Sequence, residues 1–276
     1  MTVAVKPAAD PKTLSVVDDL VRRARAAMAA FADADQARVD EAVTALAWSL
    51  YNPAHAKELA ELAVKDTQLG NVPDKITKKQ RKTFGTLRDL LRVKSVGIIE
   101  EDKARGIVKY AKPVGVVCAI TPSTNPGATP VNKAMMALKG GNAVIIAPPP
   151  SAWAATQPAV DGMRRELEKI GLPADLVQLL PNPMTREATT RLMQLVDLVV
   201  VTGSQVNVKG AYKSGTPAIG VGLGNAPVII DTSADLADAA HKIMLSKTFD
   251  HAIFMASVNQ VLSGVSDTAR TLVKQQ

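Results

Sequence analysis

The chain has 276 residues, of which 47% are hydrophobic and 21% charged, which is typical of a folded protein with a sizeable core. No apolar run reaches the roughly 18 residues of a membrane span, and residues 1–12 lack the hydrophobic core of a signal peptide. We therefore expect a cytoplasmic protein that does not bind membranes. Its single cysteine, Cys118, excludes an internal disulfide and a cysteine-rich metal site, and we predict no metal site.

Residues 12–93 are predicted to be helical. Apolar residues repeat at helical spacing from Leu14 to Val21, and Pro53 is suited to the first turn of a helix. A polar break at 70–74 precedes the last helix. We interpret residues 1–95 as an N-terminal helical arm with no function of its own.

The net charge is +7, and the densest basic cluster occupies residues 75–82 of this arm. Only Phe84 lies nearby as an aromatic residue that could stack on a base, and no nucleic-acid motif accompanies the cluster. The cluster is therefore interpreted as a solvated helix face, or as an attraction for anionic phosphorylated ligands, and we expect no nucleic-acid partner.

Two apolar segments, Val96–Glu100 and Gly106–Lys112, flank a polar turn. They predict a projecting β-hairpin over residues 96–112. A dimerisation device and a solvent-exposed flap are equally consistent with this pattern.

From Pro113 onward the pattern alternates between strand and helix. The apolar runs 114–120 and 143–147 are unbroken, as expected of strands buried on both faces. An amphipathic helix lies between them, which completes a βαβ unit of the kind that holds nucleotide cofactors. The repeated units predict an α/β fold with an open, mostly parallel sheet. Its further strands are expected at 177–180, 198–201, 218–221 and 228–230, and its further helices at 152–170, 185–195, 205–213 and 236–249.

Three loops contain candidate functional residues. Asn125 has prolines close by on both sides. Its side-chain amide could donate a hydrogen bond to a reacting oxygen, or the residue could form an Asx-turn or a helix cap. Gly203 and Ser204 follow a strand and open a helix, which suits a phosphate but is also an ordinary cap. The glycine-rich loop 220–225 could lie against a planar ligand or be a flexible turn. The G-x-G-x-x-G fingerprint is absent.

Three ordered segments resemble the CoA-acylating branch of the aldehyde dehydrogenase superfamily: TPSTNPGATPVNKAMMALKGGNAVIIAPPPSA, VVVTGSQVNVKGAYKSGTPAIGVGLGNAPVIID and SKTFDHA. Within that branch, residues 121–125 and 249–252 are most similar to the acylating sulfoacetaldehyde dehydrogenases. The resemblance covers nearly all of the chain. It implies an aldehyde-dehydrogenase-type Rossmann domain over 113–250 that binds NAD or NADP, followed by a remnant of the catalytic domain over 251–276. In the implied reaction a cysteine attacks the aldehyde, hydride passes to the nicotinamide and CoA receives the acyl group.

The resemblance also assigns roles to individual residues. Asn125 matches the oxyanion-hole amide. The cofactor-binding positions are Thr121, Pro122 and Ser123 beside the nicotinamide half, Gly203 and Ser204 at the pyrophosphate, Gly222 and Gly224 in the nicotinamide pocket, and Ala147 and Pro148 near the adenine ribose. Many superfamily members have a lysine at the ribose position, so the choice between NAD and NADP stays open.

Two departures from the family pattern weigh against activity. Met255 occupies the position of the nucleophilic cysteine and has no ionisable thiol. Cys118 cannot replace it, because it falls in a strand of the cofactor sheet, where we expect it to be a packing residue. The chain also stops at Gln276, so half of the active-site cleft is expected to be missing.

We therefore expect a catalytically inactive nucleotide-binding module whose ancestral activity oxidised an aldehyde, for which sulfoacetaldehyde is a candidate, to an acyl-CoA. One alternative is an active oxidoreductase within a larger assembly. Another is a non-catalytic interaction or scaffold protein that pairs with itself as a homo-oligomer or with a full-length relative.

Overall fold

A computed structural model describes residues 11–222, 224–253 and 257–263, with side chains from residue 14. Four helices come first: α1 (Pro11–Ala30), α2 (Gln36–Tyr51), α3 (Pro53–Thr67) and α4 (Val72–Leu91). Three of them begin at a side chain that accepts a backbone N–H of the first turn, namely Asp35, Asn52 and Asn71. These caps explain why the helices start where the polar breaks of the sequence occur.

Strands β1 (Gly97–Asp102) and β2 (Ile107–Ala111) pair antiparallel and form a two-stranded sheet. This confirms the predicted hairpin. Ile98 lies directly opposite Tyr110, and both side chains are largely exposed. The hairpin therefore presents apolar side chains to solvent.

The central sheet contains β3 (Val116–Ile120), β4 (Ala143–Ala147), β5 (Val177–Leu179), β6 (Leu198–Thr202) and β7 (Ala218–Val221). The strand order is β5-β4-β3-β6-β7, and every pair is parallel. Strands β3 and β4 are fully buried, which confirms the reading of their unbroken apolar runs. Because the order runs outward from β3 in both directions, the topological switch point lies between β3 and β6.

The helices that alternate with these strands are α5 (Ala128–Lys139), α6 (Trp153–Lys169), α7 (Arg186–Leu195) and α8 (Gln205–Tyr212). Helix α1 packs against α7, β3 and β4, whereas α2 packs against α5 and α6. One hydrophobic core consequently includes Leu20 and Leu46 of the N-terminal helices together with Ile145 of the sheet. The helices of the predicted arm therefore share one hydrophobic core with the central sheet.

Beyond β7 the chain starts a second small sheet. Strand β8 (Ala226–Ile230) pairs in parallel with β9 (Val258–Ser263), and helix α9 (Leu236–Thr248) connects them. Ile230 and Ile243 form a separate small cluster there. The expectation that residues 228–230 extend the central sheet is therefore wrong, because this strand finds its partner in β9, which sequence periodicity does not reveal.

The prediction that the basic cluster of α4 is a solvated helix face is wrong for most of its lysines. Lys75, Lys78 and Lys79 are buried, and only Arg81 and Lys82 are exposed at its end. The reason is a buried carboxylate, Asp250, which is far away in sequence and pairs with two of these lysines. Across the described part of the chain, no helix is long and apolar enough to cross a bilayer.

Candidate functional site

A cleft of about 740 Å³ opens at the carboxyl ends of β3 and β4, next to the topological switch point. This volume lies in the range of about 300 to 1,000 Å³ that is common for small-molecule sites. Its walls come from the strand ends and from helices α7 and α8. The lining residues are Ile120, Thr121, Ala147, Pro148, Pro149, Pro150, Met184, Thr185, Arg186, Thr189, Thr190, Met193, Val206, Asn207, Lys209, Gly210 and Lys213.

The chemistry of this lining suits a phosphorylated nucleotide. Arg186, Lys209 and Lys213 are cations, and no carboxylate is among the described lining residues. The Thr121 hydroxyl is buried and has no hydrogen-bond partner within the described chain, so it is available to a ligand. Methionine and proline side chains supply apolar walls for a flat base.

Several of the predicted cofactor-binding residues lie at this cleft. Thr121, Ala147 and Pro148 line it directly. Ser204 caps α8, whose side chains form one wall, and its hydroxyl accepts the backbone N–H of Asn207 at 3.3 Å. Next to it, the Gly203 N–H donates to the carbonyl oxygen of Val221 at 3.1 Å and ties the end of β6 to β7.

The other predicted residues lie outside the described lining, namely Pro122, Ser123, Asn125, Gly222 and Gly224. Gly222 packs closely on α8, because a Cβ there would come within 2.6 Å of the Gln205 amide nitrogen. Gly224 is exposed, and its carbonyl accepts from Asn259 at 3.1 Å. Thr121, Ala147 and Pro148 thus lie together at the cleft, whereas Asn125 is not among the residues that line it.

Asn125 is half-buried in the loop between β3 and α5. Its carbonyl accepts the N–H of Thr129 at 3.3 Å in the first turn of α5. The carbonyl of the preceding Thr124 accepts from the Lys75 ammonium at 3.3 Å. A lysine of α4 therefore holds the loop that presents Asn125.

The same lysine reaches Asp250, which is wholly buried. Its carboxylate accepts from Lys78 at 2.6 Å, from Lys75 at 3.2 Å and from the Asn71 N–H at 3.0 Å. Burial opposes ionisation of this carboxyl, but the hydrogen bond and charge of Lys78 outweigh it and lower the pKa of Asp250. The approach is so close that a Cβ on Gly70 would lie 1.9 Å from a carboxylate oxygen.

Lys79 lies beside this cluster and forms no ion pair with the described residues. It is wholly buried, its ammonium has no hydrogen-bond partner among the described residues, and its Cε would lie 2.9 Å from a Cβ on Gly127. Burial, followed by the charges of Lys75 and Lys78, lowers the pKa of Lys79 to about 7. The side of the Asn125 loop that faces α4 is therefore rich in positive charge.

Lys133 of α5 lies under the switch point. Its ammonium donates to the carbonyl of Ile120 at 3.1 Å and to the carbonyl of Val200 at 2.7 Å. Burial lowers the pKa of Lys133 to about 8. This residue joins β3 to β6 where the strand order reverses.

Cys118 is wholly buried in β3, and burial raises the pKa of its thiol to about 12. It is therefore not an ionised nucleophile, which confirms its reading as a packing residue. Met255, at the predicted nucleophile position, lies outside the described residues. The segment that leads to it contains three successive residues with positive φ, Asp250, His251 and Ala252. This is a sterically costly backbone for residues with a Cβ.

A family model described as the aldehyde dehydrogenase family matches residues 5–252. The chain belongs to the aldehyde dehydrogenase family. It is 55% identical over 243 residues to an acylating sulfoacetaldehyde dehydrogenase of Cupriavidus necator, covering 88% of this chain and 49% of that protein. The chain spans about half the length of the curated relatives it matches.

Solved structures agree with this family membership. An acetylating aldehyde dehydrogenase from Geobacillus thermoglucosidasius is 36% identical with a TM-score of 0.89, covering 96% of this chain and 58% of that one. An engineered glycolyl-CoA reductase with bound NADP+ is 26% identical with a TM-score of 0.81, covering 94% and 58% respectively. The Rossmann-type α/β fold expected from the resemblance is confirmed, and so is the similarity to CoA-acylating aldehyde dehydrogenases.

Sequence reasoning missed the charged residues that line the larger cleft, Arg186, Lys209 and Lys213. Their helices were anticipated, but not which faces turn toward the strand ends. The signal available was the helical spacing of Lys209 and Lys213, which places both on one side of α8. Sequence reasoning also missed the pairing of Asp250 with α4, for which no local pattern exists.

Proposed function

We propose that this chain forms the NAD(P)-binding part of a CoA-acylating aldehyde dehydrogenase. The observation that carries the proposal is the cation-lined cleft at the carboxyl ends of β3 and β4. The family membership and the acylating relatives support it.

Each wall of the cleft has a role in this proposal. Arg186, Lys209 and Lys213 attract the phosphates, and the N–H groups at the start of α8 add the positive end of its dipole. The Thr121 hydroxyl, which has no hydrogen-bond partner among the described residues, forms a hydrogen bond with the ligand. When bound, the nicotinamide supplies a hydride acceptor for the oxidation of the aldehyde.

The lining of the cleft supports a proposal about which of the two cofactors binds more tightly. In the NAD-binding arrangement, a carboxylate near the end of the second strand accepts hydrogen bonds from the ribose hydroxyls. Here β4 ends in Ala147 followed by three prolines, and no described lining residue is acidic. We therefore propose that NADPH binds more tightly than NADH.

A fluorescence titration with NADPH and NADH tests this proposal directly. We expect saturable binding in the micromolar range that is tighter for NADPH than for NADH, and the double variant Arg186→Gln/Lys213→Gln is expected to weaken both cofactors by about tenfold or more, since both carry the pyrophosphate on which the lost charges act. The matched control is Lys94→Gln/Lys112→Gln, which removes two exposed charges elsewhere. No binding at millimolar cofactor would refute the proposal.

We further propose that the chain by itself does not turn over aldehyde. A thioether at position 255 forms neither a thiolate nor a thiohemiacetal, so the covalent route has no nucleophile. We expect no aldehyde- and CoA-dependent formation of NADPH by the purified protein, measured by absorbance. Turnover above the rate without protein would overturn this part, whatever the result of the cofactor titration.

An association role has a specific observation behind it. Hairpin residues Ile98, Ile99 and Tyr110 are exposed by 41%, 43% and 60% on a sheet of only two strands. Such a hairpin is marginally stable alone in water. We propose that it is covered by a second copy of this chain or by a full-length relative.

A further inference from the structure

A second, smaller cleft of about 230 Å³ lies between helices α4 and α9. Its wall on α4 contributes Thr77, Arg81 and Lys82, and the other wall contributes Leu245, Ser246 and Phe249. None of its lining residues is shared with the cofactor cleft. It is therefore a separate site, with hydroxyls and cations on a partly apolar surface.

This cleft borders the segment where the chemistry of the family is expected. Phe249 in its wall precedes Asp250 directly, and Lys78, which also lines it, donates to the Asp250 carboxylate. Lys75 joins the same carboxylate to the carbonyl of Thr124, the neighbour of Asn125. The cleft and the predicted oxyanion residue are thus held by one cluster of side chains.

The charged residues that line the cleft are all cations. Three of its lining residues are cations, and no carboxylate is among the described lining residues. The buried Lys75 and Lys79 lie on the same helix, and Asp250 is the wholly buried carboxylate that pairs with this cluster. Cations grouped around low-dielectric walls concentrate small anions.

We propose that the α4–α9 cleft binds the acid group of a short anionic aldehyde, a sulfonate or a carboxylate, and so determines the substrate class of the enzyme. Arg81 and Lys82 pair with the acid oxygens, the Ser246 hydroxyl, which accepts the Val258 N–H at 3.3 Å, donates its proton to them, and Leu245 and Phe249 contact the carbon chain. The inference rests on the proposed function for the identity of the reacting group, but the site itself is defined by the cleft.

The size of the cleft supports this ligand class. At about 230 Å³ it is below the roughly 300 Å³ at which drug-sized ligand sites begin. A short aliphatic acid fits such a space, whereas a nucleotide needs the larger cleft. The planar fork of Arg81 matches two oxygens of a sulfonate or carboxylate.

Isethionate, which has a sulfonate and a hydroxyl in place of the aldehyde, is the probe for a calorimetric titration of the full chain. We expect saturable binding that the double variant Arg81→Gln/Lys82→Gln weakens by about tenfold or more, because two charge-assisted contacts are lost. Both residues are exposed, so the fold is expected to persist. Ethylene glycol, the neutral probe of similar size, is expected not to bind.

The matched control variant is Lys103→Gln/Lys112→Gln, which lowers the net charge equally at exposed positions of the hairpin region. Equal weakening in this control would show general charge attraction and overturn the inference. So would isethionate that binds no better than ethylene glycol.

NADPH titration of the same variants separates this inference from the proposed function. We expect Arg81→Gln/Lys82→Gln to bind NADPH as the wild type does, because the two clefts share no residue. Normal NADPH binding without isethionate binding overturns only the substrate site. Isethionate binding without NADPH binding overturns only the cofactor proposal.

Discussion

At the scale of single residues, the charge balance of α4 depends on Asp250. Its carboxylate is the acid partner of both Lys75 and Lys78, and all three side chains are at least 97% buried. Removing one partner of such a group leaves buried charge without compensation, which costs far more than breaking a surface ion pair. Asp250 therefore has a structural role. Through Lys75 it is linked to the loop of Asn125, the predicted oxyanion residue.

The substitution Asp250→Asn is expected to lower the free energy of unfolding by about 3 kcal/mol, because two buried ammonium groups lose their counter-charge. Urea denaturation followed by circular dichroism measures this change. The control is Asp89→Asn, whose side chain is 64% exposed and pairs only at the surface with Arg88, and it is expected to change stability by less than about 0.5 kcal/mol. Equal effects of the two substitutions would contradict this account.

Lys79 gives the stability of the protein a distinct dependence on pH. Its pKa is about 7 in the folded chain and 10.5 as the reference for an unfolded chain. Between these values the unfolded chain binds more protons, so stability rises with pH across this window and is lowest below pH 7. The neighbouring charges of Lys75, Lys78 and Asp250 face the same group.

Lys79→Met removes this titration and keeps most of the side-chain volume. Between pH 7 and pH 9, we expect the free energy of unfolding of the wild type to rise by about 2 kcal/mol more than that of the variant. Urea denaturation of both proteins at the two pH values gives the difference. A variant with the same pH dependence as the wild type would show that Lys79 stays charged in the fold.

At the scale of elements, α4 connects the α4–α9 cleft with the Asn125 loop through its buried side. One turn of the helix reaches the Asn125 loop and the segment before Met255, and the next turn opens onto the α4–α9 cleft. The cofactor cleft uses other elements, the ends of β3 and β4 with α7 and α8. In the proposed function, cofactor binding and recognition of an acid group therefore involve separate helices.

The hairpin is the element that we expect to control association. The double substitution Ile98→Thr/Tyr110→Thr replaces a directly opposed apolar pair by residues that keep strand propensity. We expect the apparent mass in analytical ultracentrifugation to fall toward that of a monomer of 29.1 kDa, with circular dichroism unchanged.

Val16→Thr/Met136→Thr serves as the control for that experiment, since it removes two exposed apolar side chains from helices α1 and α5. Its association state should equal that of the wild type. A wild type that is already monomeric at high concentration would remove the hairpin as a self-association surface.

At the scale of the whole molecule, cofactor binding is expected to stabilise the fold, because a ligand that binds only the folded state shifts the unfolding equilibrium by mass action. NADPH at 100 times its Kd adds about 2.7 kcal/mol. For a chain of this size that corresponds to a Tm increase of about 5 °C or more. Differential scanning calorimetry with and without NADPH measures it, and isethionate alone provides the comparison for the second cleft.

Much of the architecture was accessible from the sequence. The unbroken apolar runs of β3 and β4, the hairpin and the helix stop at Gly171 were all predicted within a few residues, because they follow from local periodicity and turn chemistry. The helix start at Gly203 and Ser204 came from the same kind of local signal, and its role in phosphate binding stays a prediction. The partner of β8 was not accessible, because strand pairing is decided by contacts distant in sequence.

The sequence by itself determined the family and the parallel α/β sheet, and it predicts that Met255 occupies the nucleophile position. Only the tertiary structure decided that the lysines of α4 are buried, that Asp250 balances them, and that two cation-lined clefts lie on different helices. The physical reason is that a lysine carries the same local signal in a solvated face as in a buried ion pair. Its state depends on whether a carboxylate about 170 residues away arrives beside it, which only the folded chain settles.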